Sequence, residues 1–250
     1  MKYIMFDLDD TLLNHRREVP DFTMSVLKRL QEMGHKLVIN TARSKSYAWE
    51  YFEKIQPDYA IFNGGAFIID KEARAVFRAE MSPETTGQVV ETLLKLTRNF
   101  TVQTEDKLYS HLGLYTGQGA LPYDFAGEPL GQPAQKIVAN LEEEAQALAI
   151  AEKFDLEYTC YFGGNFRRFN HREATKARGA RNLLKLVNGR REDLLAFGDD
   201  LGDLDMIREA GVGVLMKNAR PNLHGQAGIL SEYTNEEEGV ARFLADYFSL

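Results

Sequence analysis

The chain has 250 residues, 44% of them hydrophobic and 27% charged, and its formal net charge is −7. This composition is typical of a globular protein with one large or two small domains. The acidic balance disfavours a nucleic acid as the main partner, because phosphate backbones are bound by Lys and Arg, but it still allows a small anionic substrate in a local positive pocket.

Targeting and redox features are few. No apolar run reaches the roughly 18 residues needed to cross a membrane, and no signal peptide is visible, so we expect a cytoplasmic protein that does not act at a membrane. Cys160 is the single cysteine. One thiol cannot form an internal disulfide, and we expect it to be a small buried residue near a strand.

Short apolar strands alternate with helices in the first 65 residues. The predicted elements are a strand at 3–6, a helix from 20 to 33, a strand at 36–40, a helix at 44–55 and a strand at 59–62. The first helix is predicted to bury Phe22, Val26, Leu30 and Met33 and to end at Gly34. Strands that alternate with helices predict a parallel sheet covered on both faces.

A different, strand-rich pattern begins near residue 66. The predicted elements are a hairpin at 67–77, a helix from 83 to 98 with Ser82 as its cap, a strand at 100–104, a loop at 117–135, a strand at 136–141, a helix at 142–154 and a hairpin at 156–170 whose turn is 163–165. This order is typical of a separate α+β module.

The alternation of helix and strand returns in the last third of the chain. Helices are predicted at 175–187, 204–210 and 240–248, with strands at 194–197 and 212–215. We therefore predict that 1–80 and 172–250 form one α/β core and that 81–171 form an inserted α+β domain.

Acidic side chains follow the first predicted strand. Asp7 and Asp9 stand at its carboxyl end, which is where ligands bind in open α/β sheets. Two neighbouring carboxylates repel each other unless a cation or proton lies between them, and Mg²⁺ prefers such hard oxygen ligands. The alternative is a turn that is merely rich in Asp.

Three further segments place polar side chains at strand ends or helix starts. Thr41 follows the second strand, Lys176 stands where a helix begins, and Asp199 and Asp203 follow the strand at 194–197. A hydroxyl and a lysine near a helix N-terminus suit a phosphate group. Taken singly, each segment could instead be a helix cap, a surface lysine or a structural turn.

The four segments together resemble the motifs of the haloacid dehalogenase (HAD) superfamily. Asp7-Leu8-Asp9-Asp10-Thr11 matches DxDxT, Thr41 and Lys176 match the second and third motifs, and Gly198–Asp203 matches GDxxxD. The insertion resembles the type IIB cap of Cof-type phosphatases, as do Asn63-Gly64-Gly65 and Asn218-Ala219-Arg220-Pro221. The resemblance implies an α/β fold, a Rossmann-like parallel-sheet core with an inserted α+β cap domain of type C2B.

The resemblance also implies catalytic roles and a Mg²⁺ cofactor. Asp7 would be the nucleophile and a metal ligand. Asp9 would be the general acid and base, with only its main-chain carbonyl on the metal, and Asp199 would be a direct metal ligand.

Further positions would surround the phosphate. Thr41, Ala42 and Lys176 would bind it, and Asp203, Arg43 and Asn63 would support the site. One position departs from the subgroup, whose fourth motif usually reads GDxxND, because Gly202 stands in place of the Asn and removes one amide.

The function implied is Mg²⁺-dependent hydrolysis of a phosphate monoester of a small metabolite, a sugar phosphate above all, through an aspartyl-phosphate. The alternatives are a phosphotransferase or phosphomutase acting on a sugar phosphate, a receiver-like regulator and a non-catalytic phosphate-binding protein. The sequence does not indicate the oligomeric state. Polar cap or rim residues that could contact a substrate, each with solvated surface as its alternative, are His15, Arg16, His111, Asn165, Arg167, Arg168 and His171.

Overall fold

The computed structural model describes residues 1–111, 119–161, 164–226 and 228–250. These residues form two compact units. The core unit comprises Met1–Arg43, Ala48–Phe77 and Lys176–Leu250, and the inserted unit comprises Ser44–Tyr47 and Arg78–Thr175. The sequence-based domain limits differ from these bounds by a few residues, and they do not include 44–47 in the second unit.

The secondary structure follows the predicted order with additions. The strands are β1 (Tyr3–Phe6), β2 (Lys36–Asn40), β3 (Tyr59–Phe62), β4 (Phe67–Asp70), β5 (Ala75–Arg78), β6 (Phe100–Gln103), β7 (Leu108–His111), β8 (Leu121–Tyr123), β9 (Lys136–Asn140), β10 (Leu156–Tyr161), β11 (Phe166–His171), β12 (Leu194–Gly198), β13 (Val212–Leu215) and β14 (Ile229–Leu230). The helices are α1 (Asp21–Glu32), α2 (Lys45–Ile55), α3 (Pro83–Leu94), α4 (Glu144–Phe154), α5 (Lys176–Leu186), α6 (Leu204–Glu209) and α7 (Gly239–Phe248).

An eight-stranded sheet runs through the core unit. Its order is β14-β13-β12-β1-β2-β3-β4-β5. Every neighbouring pair from β14 to β3 is parallel, and β4 then pairs antiparallel with β3. The predicted parallel-sheet core is thereby confirmed.

The core-unit sheet is covered on both faces. Side chains alternate along a strand, so Ile4 and Phe6 join an apolar cluster with α1, α2 and α7. Tyr3 and Met5 join a second cluster with α5 and α6. Because β1 is buried from both sides, its sequence is a continuous apolar run rather than an alternating one.

The buried face of α1 differs from the prediction. Val26 and Leu30 are buried as expected, but Phe22 is 44% exposed and Met33 is 51% exposed. Both lie at the ends of the helix, Phe22 in its first turn and Met33 directly after its last residue. The buried small side chain near the start of α1 is Thr23, which the apolar pattern does not reveal.

The inserted unit contains its own sheet and core. Its strand order is β10-β11-β9-β6-β7-β8, with α3 and α4 packed into one apolar cluster that includes Phe100 and Phe169. The predicted cap of α3 is confirmed, because the hydroxyl of Ser82 accepts a hydrogen bond of 3.1 Å from the amide of Thr85. This arrangement is the α+β module expected from the sequence.

Two strands of the inserted unit were not predicted. β7 is short and partly polar, and β8 lies inside the segment 117–135 that Gly and Pro mark as a loop. β8 contains Pro122, which is tolerated because β8 is an edge strand and pairs only with β7. Residues 117–118 of the predicted loop, and 162–163 at the predicted hairpin turn, lie outside the described residues.

The expectation of a buried thiol is wrong. Cys160 is exposed on β10, which is an edge strand of the inserted unit. None of the helices in the described ranges combines the length and apolar character required to cross a membrane.

Candidate active site

Three segments of the core unit meet at the carboxyl ends of β1 and β12. Asp7 directly follows β1, Lys176 is the first residue of α5, and Asp203 ends the helical turn Leu201–Asp203 after β12. The strand β1 has β2 on one side and β12 on the other, so the strand order changes direction here. Such a switch point creates the crevice in which α/β proteins bind ligands.

The ammonium group of Lys176 links two carboxylates. Its Nζ lies 2.9 Å from Oδ1 of Asp7 and 2.6 Å from Oδ1 of Asp203, and all three residues are buried. Burial lowers the pKa of Lys176, but the charges of Asp203 and Asp7 outweigh that effect, so its pKa lies above the ordinary value. Lys176 is therefore held as a fixed cation.

Three carboxyl groups surround that single cation. One oxygen from each of Asp7, Asp199 and Asp203 lies within 4.8 Å of the others. Burial raises the pKa of Asp7 to about 7, against the opposing charge of Lys176. Burial, followed by the charges of Asp203 and Asp7, raises the pKa of Asp199 to about 8. Three ionised carboxylates would carry more negative charge than Lys176 can neutralise, so without a further cation Asp7 and Asp199 retain protons up to about neutral pH.

This donor set fits a magnesium ion. Mg²⁺ binds hard oxygen ligands and is usually held by one or two carboxylates together with a substrate phosphate. A divalent cation would also favour the ionised carboxylates, against the burial and mutual repulsion that raise the pKa values of Asp7 and Asp199. Asp7 and Asp199 are among the predicted ligands, and the third clustered carboxylate is that of Asp203.

Local hydrogen bonds orient the acidic side chains after β12. Thr11 donates from Oγ1 to Oδ1 of Asp199 at 2.7 Å, which joins the first motif to the fourth. Oδ2 of Asp203 accepts from the backbone amides of Asp199 at 3.3 Å and Asp200 at 3.2 Å. Asp203 therefore binds the backbone of its own turn through Oδ2 and the ammonium group of Lys176 through Oδ1.

The glycine that precedes Asp199 is required by packing. A Cβ on Gly198 would lie 2.3 Å from Cβ of Asp203, closer than any real contact. We expect Gly198→Ala to push Asp203 away from Lys176, to lower stability by about 1–3 kcal/mol and to reduce kcat by at least about tenfold. Thermal unfolding and steady-state kinetics of the purified variant measure both effects.

Gly202 provides the matched control. In the described part of the chain, no atom outside its immediate neighbours lies within 4 Å of a Cβ built there. We expect Gly202→Ala and Gly202→Asn to fold with stability changes within about 0.5 kcal/mol. If Gly202→Ala were as damaging as Gly198→Ala, steric contact with Asp203 would not explain the need for glycine at Gly198.

The carboxylate of Asp9 lies apart from the three clustered carboxylates. Arg43 binds it with two hydrogen bonds, from Nε to Oδ2 at 2.8 Å and from Nη2 to Oδ1 at 2.5 Å. The guanidinium also lies 4.9 Å from the ring centre of Tyr51. Burial raises the pKa of Asp9, but the hydrogen bonds and charge of Arg43 outweigh it and lower the pKa overall. This pairing favours the ionised form of Asp9.

The loops after β2 and β3 are joined by backbone hydrogen bonds. The amide of Thr41 donates to Ile61 at 2.9 Å, and Gly64 donates to the carbonyl of Thr41 at 2.9 Å. The amide of Asn63 donates to the carbonyl of Arg43 at 2.8 Å, and Asn63 has a positive φ of 51°. These bonds fix the main chain on both sides of Ala42, so the predicted phosphate-binding segment is rigid.

Sequence reasoning missed Asn40, which supports the start of α5. Its Nδ2 donates to the carbonyl of Lys176 at 3.0 Å, and the side chain is fully buried. A polar residue at the end of the apolar strand β2 is the signal that could have found it. Asn218 and Asn235, which contact the segment after β1, were also not assigned a role.

Several polar residues outside the carboxylate cluster are less exposed than expected. His111 stacks on Phe100 with ring centres 5.1 Å apart and is buried, and Arg167 is buried with Nη1 2.5 Å from the carbonyl of Gly164. Both are therefore buried within the inserted unit rather than solvated. Arg168 and His171 are half-buried, and Asn165 is exposed. In the core unit, His15 is exposed beside Glu236, and Arg16 is exposed as well.

Comparison with known proteins places the whole chain in one family. A family model described as haloacid dehalogenase-like hydrolase matches residues 4–244. The chain is 26% identical over 266 residues to a 5-amino-6-(5-phospho-D-ribitylamino)uracil phosphatase of Bacillus subtilis, with 99% of this chain and 97% of the relative covered. It is 27% identical over 268 residues to a pyridoxal phosphate phosphatase of Escherichia coli, with 97% of both chains covered.

A solved structure confirms the fold. A HAD superfamily phosphatase from Bacteroides thetaiotaomicron superimposes with a TM-score of 0.84 and 19% identity, covering 100% of this chain and 96% of that chain. The predicted α/β class, with a parallel-sheet core and an inserted cap, is therefore correct. The resemblance to Cof-type members is likewise confirmed.

Proposed function

Because this chain belongs to the haloacid dehalogenase-like hydrolase family and is a phosphatase of that family, we propose that it hydrolyses a phosphate monoester of a small metabolite through an aspartyl-phosphate on Asp7. The observation that carries the proposal is the buried ion pair of Asp7 with Lys176. In this pair an oxygen of Asp7 lies 2.9 Å from the ammonium nitrogen of Lys176, next to the carboxylate of Asp199, and this arrangement supports a nucleophilic role for Asp7.

In the first step, an oxygen of Asp7 attacks phosphorus and the ester P–O bond breaks. Carboxylates can accept a phosphoryl group covalently, and the leaving alkoxide takes a proton from Asp9. Arg43 favours the ionised form of Asp9, so proton donation requires that the two hydrogen bonds from Arg43 be released. Asp9 lies on an exposed edge of its turn, with half of its side chain accessible, which leaves room for that movement.

In the second step, Asp9 acts as a base. It takes a proton from water, the water oxygen attacks phosphorus, and the bond between phosphorus and the oxygen of Asp7 breaks to release inorganic phosphate. The ionised form required here is the one that Arg43 stabilises in the resting arrangement. The two steps therefore use opposite protonation states of Asp9, as is usual for an acid that later becomes a base.

Charge on the phosphoryl oxygens must be neutralised in both steps. Asp7, the main-chain carbonyl of Asp9 and Asp199 would hold Mg²⁺, which supplies positive charge to the phosphoryl oxygens when bound. Lys176 supplies the protein's own charge. The hydroxyl of Thr41 and the amide of Ala42 are proposed to donate hydrogen bonds to the phosphate from the rigid loop after β2.

The substrate proposed is a small phosphorylated metabolite, with sugar phosphates as the first class to test. The relatives from B. subtilis and E. coli act on a phosphoribityl compound and on pyridoxal phosphate, which both carry phosphate on a primary carbon. A panel should therefore contain sugar phosphates, pyridoxal phosphate, nucleotides and a chromogenic aryl phosphate.

We expect phosphate release from members of this panel with Mg²⁺ and its loss in excess EDTA. The reason is that three crowded carboxylates repel a phosphate dianion, and the single positive charge of Lys176 does not offset them without a metal ion. Activity should return when Mg²⁺ is added beyond the EDTA. Release that persists in EDTA would contradict the metal assignment, whereas isomerisation of a sugar phosphate without phosphate release would favour a phosphomutase.

A further inference from the structure

The segment that follows Asp7 has an irregular backbone. The turn Leu8–Leu12 contains Asp9 with non-helical torsion angles and Asp10 with a positive φ of 54°. A backbone hydrogen bond of 2.9 Å, from the amide of Leu13 to the carbonyl of Leu8, closes the turn at its end. A turn with such torsion angles keeps its shape only when surrounding groups fix it.

Two asparagine side chains supply that restraint from elsewhere in the chain. Nδ2 of Asn218 donates to the carbonyl of Asp10 at 2.7 Å, and Nδ2 of Asn235 donates to the carbonyl of Leu13 at 2.9 Å. Oδ1 of Asn218 accepts from the backbone amide of Asn235 at 3.0 Å. The two residues therefore form one connected clamp, here called the Asn218–Asn235 clamp, which binds the middle and the end of the turn.

The clamp is attached to well-fixed parts of the core unit. The loop that carries Asn235 is closed by a backbone hydrogen bond of 2.9 Å from Gly239 to Thr234. It is tied to α1 because Oε2 of Glu238 accepts from the amide and hydroxyl of Thr23 at 2.9 and 2.8 Å. A Cβ on Gly239 would lie 2.6 Å from the carbonyl of Tyr233, so the loop is also closely packed.

The turn held by the clamp carries the groups that matter to the proposed reaction. Asp9 is its proposed acid and base, and Thr11 binds Asp199 at 2.7 Å. The carbonyl of Asp10 lies between these two residues in the chain. Movement at that carbonyl would therefore shift Asp9 and Thr11 relative to Asp7.

We propose that Asn218 and Asn235 are positioning residues that hold the Leu8–Leu12 turn in its reactive geometry. This role rests on the proposed phosphatase function, because its purpose is to place Asp9 beside the phosphoryl group on Asp7. Neither residue touches the three clustered carboxylates, so the clamp acts through the backbone of the turn.

The test uses Asn218→Asp and Asn235→Asp in the full chain. Each substitution keeps the shape of the side chain and replaces the Nδ2 donor with an oxygen that repels the carbonyl it faces. We expect kcat to fall by at least about tenfold with KM changed less than about threefold, because misplacement of the acid affects the chemical step more than binding. Hydrogen exchange of the amides in 8–13 should become at least about tenfold faster.

Gln31→Glu is the matched control. Nε2 of Gln31 donates to the carbonyl of Gln56 at 2.9 Å, so this variant loses the same kind of hydrogen bond elsewhere in the core unit. Its kcat and the exchange of 8–13 should equal those of the wild type.

The outcomes separate the clamp from the proposed function. Faster exchange confined to 8–13, with reduced kcat, supports the clamp. An unchanged kcat, or exchange that rises equally in α1 and α7, overturns it, since the residues would then serve general stability or nothing measurable. If the wild type releases no phosphate from any panel member, the proposed function fails, and exchange of 8–13 alone decides whether the clamp holds the turn.

Discussion

Asp7→Asn is expected to abolish phosphate release, with a loss of at least about 10⁴-fold, while the protein remains folded. The amide has the size of the carboxyl group but cannot form the aspartyl-phosphate. Asp7 is one of three crowded carboxyl groups, and burial raises its pKa to about 7. Replacing it with a neutral group removes unfavourable charge, so the melting temperature should equal or exceed that of the wild type at neutral pH.

Phosphate release and thermal unfolding of the two proteins, measured side by side, check this prediction. A single turnover in heavy-oxygen water locates the attack of water in the second step. Label in the released phosphate means attack on phosphorus, whereas label in Asp7 means attack on the acyl carbon of the aspartyl-phosphate. Normal turnover by Asp7→Asn would remove Asp7 as the nucleophile and move the reaction to another group.

Asp10→Asn is the matched control for that substitution. Asp10 lies in the same segment, is exposed, and contributes its main-chain carbonyl rather than its carboxylate to the contact with Asn218. Its variant makes the same chemical change three residues away from the proposed nucleophile. We expect kcat within about threefold of the wild type.

The clustering of the candidate site residues could be predicted in part, because each lies at a strand end or a helix start. Asp7 follows an apolar strand, Asp199 follows another, and Lys176 begins a helix, so local patterns locate all three. Parallel strands end at the same edge of a sheet, which brings Asp7 and Asp199 together, whereas the placement of Lys176 beside them does not follow from strand ends alone.

Contacts of high sequence separation could not be predicted in the same way. Asn235 donates to the carbonyl of Leu13, 222 positions earlier in the chain. The pairing of Asp9 with Arg43 depends on the relative placement of two loops. No spacing or periodicity encodes either contact, because both arise only when separate loops are folded onto one sheet.

The sequence pattern also did not predict which side chains at the ends of helices and strands are buried. An apolar pattern assigns Phe22 and Met33 to the buried face of α1, but both are exposed, because a pattern along one helix does not show which of its turns other elements cover. The burial of His111 and Arg167 was also not predicted. Polar side chains are expected at the surface, and the partners that enclose these two, the ring of Phe100 and the carbonyl of Gly164, are known only from the structure. Sequence patterns therefore predict the positions of the candidate site residues better than they predict which side chains are exposed to solvent.

Lys176→Ala is expected to reduce kcat/KM by at least about 100-fold. Lys176 is the only basic side chain that contacts the carboxylates of Asp7 and Asp203 among the described ion pairs, and it would be the protein's fixed charge beside the phosphoryl group. Its removal also leaves two buried carboxylates without a cation. Breaking a buried ion pair costs about 3–5 kcal/mol, so the melting temperature should fall as well.

Comparing Lys176→Ala with two further variants separates the loss of catalysis from a loss of folding. Lys176→Met keeps most of the side-chain volume and lacks only the charge, so it should fold better than Lys176→Ala while showing the same loss of activity. Lys185→Ala removes an exposed lysine from the same helix and should match the wild type in both respects. A loss below tenfold in Lys176→Met, measured at a temperature where the variant is folded, would place the phosphate site elsewhere and leave the buried ion pairs with a purely structural role.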